Sequence, residues 1–205
     1  DLRAQTTEIA QRATVTRGLL LMGAALAALA IWRSFASQLQ RTQAAFLMAE
    51  ERSRDLATID SLTGALSRGA FRDALEQYSD RAKAQGVGAS LVLLDFDHFG
   101  RVNERVGFLQ GDCVLRQAAS RLRAHLRPGD VLGRVGGDVF GVVLTPTGLD
   151  DQPHARAQAL RLAVSGRYDI DGAEFELSVS AGLATLLQHA DNSEDLLQAA
   201  DAALR

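Results

Sequence analysis

A single cysteine in 205 residues leaves no partner for an intrachain disulfide. That residue, Cys113, lies among Asp112, Val114 and Leu115 and reads as a packed thiol, not a nucleophile. A basic excess is also missing. Lys and Arg number 22 against 25 Asp and Glu, a net charge of −3, which argues against nucleic acid as a partner. Residues 18–32 contain no charge, and residues 33–59 contain neither proline nor glycine. What remains is ample for one globular core: 47% of the residues are hydrophobic, enough for a core of ordinary size with length to spare. The chain opens at Asp1 without a methionine and stops at Arg205 inside a helical pattern, and so reads as a piece of something longer.

The uncharged run 18–32 is bounded by Arg17 and Arg33. At about 1.5 Å per residue it covers roughly 22 Å, short of the roughly 30 Å hydrocarbon core. Snorkelling of the two arginines, with Val15 and Phe35 extending the apolar surface, makes up the difference. A transmembrane helix is the reading adopted. A buried helix and a signal sequence compete with it, although residues 1–13 are mixed in charge and lack the positive region that begins a signal peptide. Residues 1–17 read as the helical end of a preceding region. Arg3, Arg12 and Arg17 on one side balance Arg33 and Arg41 on the other, so charge does not set an orientation. In residues 33–59, Phe35, Leu39, Phe46 and Leu56 follow a three-four spacing with Thr42, Ala49 and Ser53 between them. That is a weak heptad seam suited to a parallel helical dimer, and a single amphipathic linker helix fits as well.

A globular pattern begins near Asp60. Phe71, Ala74, Leu75, Tyr78 and Ala82 recur at helical spacing, and Gly86 stops that helix. Ser90–Phe96 is a buried-strand profile ending in acids. Residues 112–126 predict a helix with Leu115, Ala118, Ala119 and Leu122 on one face and Asp112 as its cap. Residues 131–135 and 140–144 are the arms of a hairpin around Gly136 and Gly137, where a tight turn favours positive φ. A helix over 153–165, a strand over 174–183 and a helix from Ser193 follow. The order α-β-α-β-β-α-β-α describes an α+β domain with helices packed on one sheet. Asp95 and Asp97, two apart at a strand end, point to the same side of the pleat. Such paired hard oxygens suit Mg²⁺, although an isolated pair reads better as a solvated strand end. Asp138 offers a third carboxylate from the glycine turn.

Five blocks in order resemble the GGDEF domain, the diguanylate cyclase family: "DSLTGALSRGAF" (60–71), "LDFDHFGRVNERVGFLQGDCVL" (94–115), "RPGDVLGRVGGDVF" (127–140), "SVSAGLA" (178–184) and "AADAAL" (199–204). The resemblance covers 60–205, with the C-terminal end truncated. It implies a palm-like domain with a central, mostly antiparallel sheet flanked by helices, preceded here by the transmembrane and linker helices. It implies that two facing domains join two GTP into cyclic di-GMP and release two diphosphates. By motif position, Asp95, the Phe96 carbonyl and Asp138 would hold Mg²⁺ or Mn²⁺, with Asp138 catalytic. Asn103 and Asp112 would bind the guanine edge. Arg127 and Asp130 match the R-x-x-D of the family's inhibitory cyclic di-GMP site, although a solvent-exposed ion pair reads equally well there. The signature is degenerate: Val139 stands where the family has Glu, Gly100 where it has Lys, and Phe108 where it has His. Arg105 stands at a position where an aromatic is common, and Arg205 replaces a Tyr. The expectation is a weakened cyclase, tethered to the inner membrane with this domain in the cytoplasm and homodimeric through the linker. A catalytically inactive cyclic di-GMP receptor using Arg127 and Asp130 is the alternative, and a purely scaffolding domain is a third.

Overall fold

The computed structural model describes residues 32–33, 57–86, 89–145, 152–170 and 172–205. Contacts divide the chain into two compact units, Asp1–Arg52 and Ser53–Arg205, and all elements named below belong to the second. In the first unit only Trp32 and Arg33 are described, both helical. The expected transmembrane run 18–32, the region before it and nearly all of the linker helix therefore lie outside the described residues. Among the described residues no helix is long and apolar enough to cross a membrane.

The apolar run that reads as a strand becomes β1, Ser90–Phe96, buried along nearly all its length. It lies inside a four-stranded antiparallel sheet of order β2-β3-β1-β6, with β2 at Val131–Arg134, β3 at Val139–Leu144 and β6 at Val179–Thr185. Alternation along β1 divides the core in two. Leu91 and Leu93 face α1 (Arg68–Gln85) and α5 (Ser193–Leu204), in a cluster with Phe71, Leu75, Val143, Leu196 and Ala200. Val92, Leu94 and Phe96 face the opposite way, into a cluster fed by α2 (Phe99–Val106), α3 (Phe108–Ala124) and α4 (Pro153–Val164). A separate hairpin, β4 (Gly166–Ile170) with β5 (Ala173–Leu177), adds buried Tyr168 to that second cluster.

Local signals set several boundaries. Ser67 caps α1 by accepting from the Ala70 N–H, and Gly86 ends it in the left-handed conformation (φ 65°), its N–H returned to the Ala82 and Lys83 carbonyls. Two expectations change. The helix predicted from Asp112 begins four residues earlier at Phe108, so Asp112 lies inside α3 and is not its cap. An additional helix, α2, precedes it, and Gly107 (φ 88°) makes the break between them, a conformation open to glycine at little cost. The strand predicted over 174–183 is two strands. At Ser178 the chain leaves its β4 partner and joins β1, with the Ser178 carbonyl accepting from the Asp97 N–H. The alternating pattern runs unbroken through that point, and only the partner changes.

Two close approaches lock helices on the sheet. Gly133 and Gly141 pair across β2 and β3, and a Cβ on either would come within 2.4–2.6 Å of the Phe71 ring, which fills the slot they leave. At Gly182 a Cβ would lie 2.1 Å from the Ala200 carbonyl oxygen, so α5 rests its backbone on β6. Gly182→Ala therefore forces that backbone away and lowers stability by about 3 kcal/mol, read as a fall in the urea midpoint. Leu187→Asn has the opposite sign. Leu187 is exposed and held at φ 66°, and a residue that tolerates this region gains about 0.5–1 kcal/mol in the same measurement.

Candidate active site

The acidic end of β1 meets the glycine turn because of strand register. Asp95 stands opposite Val139 on β3 and Ser180 on β6, which places Asp138, the residue before β3, beside it. The turn is closed by Val135 and Gly136 N–H groups donating to the Val139 carbonyl at 2.9 and 3.2 Å. Neither Gly136 nor Gly137 belongs to the positive-φ glycines, so the left-handed turn expected from the sequence does not form. Crowding explains Gly136: a Cβ there would approach the Val139 Cβ and Cγ2 at 3.3 Å. A Cβ at Gly137 would meet nothing within 4 Å, so protein packing does not require that glycine.

Charge at this end of the sheet is unbalanced. Burial pushes the Asp95 carboxyl up from its ordinary value, the charges of Asp138 and Asp97 push it further, and the Phe96 N–H opposes them. Carboxylates held together at such electrostatic cost form the setting that a hard divalent cation relieves. Asp97 does not complete a third ligand. Its carboxyl is held low by a hydrogen bond from Ser178 that outweighs burial and by a second bond from Ser180, whose Oγ donates at 2.7 Å. It ties β1 to β6 instead. Among the described residues no group of three or more His, Cys, Asp or Glu side chains is arranged to hold a metal, so the gathering of three carboxylates gives way to a pair, Asp95 and Asp138.

Past Asp97 the chain turns sharply through His98, held at φ 58°, into α2. Asn103 on that helix packs against α3 so closely that a Cβ at Gly111 would fall 1.9 Å from its Oδ1. Asp112 is the next residue, and Asn103 and Asp112 thus share one seam between two helices, both half-buried. An amide and a carboxylate there match the acceptor at O6 and the donors at N1 and N2 that guanine presents. Arg105, where an aromatic was expected, lies with its guanidinium 5.6 Å from the Phe175 ring centroid, so a cation–π contact onto the β4–β5 hairpin takes that place.

The R-x-x-D pair is arranged differently from an open ligand site. Asp130 has no exposed side-chain surface. Its carboxylate accepts from the Arg127 N–H (2.8 Å), from the Thr145 N–H and hydroxyl (3.0 and 3.1 Å) and from the Arg156 guanidinium. Arg127 itself is exposed.

Two arginines not singled out by sequence reasoning organise the site. Arg134 donates to the Gly137 carbonyl at 2.7 Å and to both Asp60 oxygens at 3.3 Å, joining the start of the domain to the turn that presents Asp138. Its signal was present in the R-x-G-G-D spacing. Arg123 donates to the Thr63 carbonyl at 2.6 Å and left no comparable mark in the sequence.

The model of the diguanylate cyclase GGDEF domain matches residues 57–205. The chain belongs to the GGDEF domain family. Diguanylate cyclase DgcP of Pseudomonas aeruginosa is 34% identical over 169 residues, which are 82% of this chain and 25% of DgcP. Cyclic di-GMP phosphodiesterase NbdA of the same species is 33% identical over 151 residues, 74% of this chain and 19% of that protein. The chain thus spans about a fifth to a quarter of these two curated relatives. Among solved structures, the GGDEF domain of DgcB from Caulobacter crescentus in complex with c-di-GMP is similar at a TM-score of 0.66 and 29% identity, covering 72% of this chain and 88% of that one. In this GGDEF domain the signature position after Asp138 is an apolar Val139 placed directly opposite Asp95.

Asp60 tests the strap that holds the turn. Partial burial acts to raise its carboxyl, but hydrogen bonds from Thr63 and the Arg134 charge outweigh it and leave the pKa below 3.8. A lowered folded pKa means stability that is full above the ordinary value and lost as pH falls through the lowered one. Wild-type protein should exceed Asp60→Asn by about 1 kcal/mol at neutral pH, the two urea midpoints converging in acid below 3.8. Parallel curves at every pH would rule out the strap.

Proposed function

We propose that this GGDEF domain is a diguanylate cyclase of weakened turnover, tethered to the inner membrane by residues 18–32 with the domain in the cytoplasm, and paired through residues 33–59. The observation that carries this reading is the pairing of Asp95 with Asp138 at the sheet end from which α2 leads to the Asn103–Asp112 seam. Each of two facing domains holds one GTP. Asn103 offers its amide and Asp112 its carboxylate to the guanine edge. The 3′-hydroxyl of one nucleotide attacks the α-phosphate of the other, and diphosphate leaves; a second such transfer closes the ring. Asp95, the Phe96 carbonyl and Asp138 would hold Mg²⁺ or Mn²⁺, which when bound supplies charge neutralisation at the phosphates.

The weakening follows from what the chain lacks at the same place. Val139 sets two methyl groups opposite Asp95 where a glutamate would add an oxygen ligand, and Gly100 brings no cation to α2. Loss of one such group costs on the order of 3 kcal/mol in the transition state, hence about a hundredfold in rate. The receptor alternative needs Asp130 to leave Thr145 and Arg156 before its carboxylate can accept from a ligand. That rearrangement counts against it as the resting role of the site.

With GTP and Mg²⁺, the full chain should form cyclic di-GMP slowly, detected by chromatography. Asp138→Ala should abolish the product, and Val139→Glu should raise the rate at least tenfold. Absence of product from both the wild type and Val139→Glu, with cyclic di-GMP bound in a manner that Arg127→Ala removes, would replace the cyclase reading with the receptor.

A further inference from the structure

The first turn of α3 carries an anomaly. Each of the domain's described helices buries apolar residues, yet Phe108 and Leu109 are 79% and 77% exposed, the two most exposed large apolar residues among those described. Nothing among the described residues covers them, and the turn is entered through Gly107 without a side-chain cap. An aromatic ring left in water at a helix start brings no folding advantage.

Its position relative to Asp112 is specific. Phe108 and Asp112 are four residues apart on one helix, hence neighbours on the same face. Helical side chains lean toward the N-terminus of their helix, so whatever the Asp112 carboxylate grips lies over the turn that starts at Phe108. Asn103 closes the other side of that seam against Gly111. A planar heterocycle held by its edge between Asn103 and Asp112 therefore presents a face toward the Phe108 ring. Leu109 is about 100° further round the helix and points away from this position.

We infer that Phe108 is a base-stacking residue of the nucleotide site: its ring packs on the face of the purine whose edge Asn103 and Asp112 bind. This inference rests on the proposed nucleotide site and adds to it a contact that the hydrogen-bonding pair cannot supply. Edge contacts select guanine, whereas stacking is indifferent to the base and contributes affinity.

The test is calorimetry of GDP with Mg²⁺ on the full chain. Phe108→Ala and Phe108→Leu should each weaken GDP binding about tenfold, while Phe108→Trp should stay within about threefold of wild type. Phe108→Trp in a Trp32→Phe background should also lose indole fluorescence as GDP binds, the direct sign of ring contact. Phe108 is exposed, so these variants fold. Asp112→Asn serves as the separate control on the site itself. If Asp112→Asn loses GDP while Phe108→Ala and Phe108→Leu bind it like wild type, stacking is wrong and the nucleotide site stands. If Phe108→Leu binds normally and Phe108→Ala does not, apolar bulk and not planarity acts there, and stacking is again wrong. If Phe108→Ala instead dissociates a dimer with GDP affinity unchanged, a second copy of the chain covers the ring and the inference fails. If wild-type protein binds no GDP, the nucleotide site and the stacking residue fall together.

Discussion

The Phe71 ring seated over Gly133 and Gly141 is the contact on which the site depends. It presses α1 onto the β2–β3 hairpin at the one place where two facing glycines leave room for it. The hairpin is thereby fixed against β1, and its turn delivers Asp138 to Asp95. Arg134 then fastens the turn, holding the Gly137 carbonyl with Nε and Nη2 and Asp60 with Nη1. Both attachments run to the segment between Asp60 and Phe71, where the domain begins. The carboxylate pair and the start of the domain are therefore mechanically one piece.

Legibility in the sequence followed how local each cause was. β1 could be read because seven residues of nearly unbroken burial leave few alternatives, and α1 because Ser67 and Gly86 mark both ends. The site residues came from ordered motif blocks, all of which fall within the family match over 57–205. What escaped was set by partners distant in sequence. Ser178 looks like any polar position in an alternating strand, and only the change from β4 to β1 makes it a boundary. Asp112 resembled a cap because the contribution of Gly107 is conformational and has no side chain to read. Asp97 looked equivalent to Asp95 until Ser178 and Ser180 were found to hold it. Asp130 looked like an exposed turn acid, yet Thr145 and Arg156 enclose it.

The departures from the family signature fall into two kinds. Arg105 is compensated within the domain, where the Phe175 ring accepts its cation and the β4–β5 hairpin gains an anchor on α2. Tyr168 is held similarly from α3, with the Arg121 guanidinium 4.0 Å from its ring centroid and its hydroxyl donating to the Val164 carbonyl. Among the described residues, Val139 and Gly100 have no such replacement near the carboxylate pair. Packing thus accounts for Arg105 and Tyr168, while Val139 places an apolar side chain opposite Asp95.

Val139 also sits in a ladder, half-buried, at the first position of β3. A β-branched side chain suits a pleated strand better than a glutamate does, and it spares Asp95 a third adjacent negative charge. The end of this strand is thereby held by side-chain shape instead of charge, a local arrangement that favours the folded sheet.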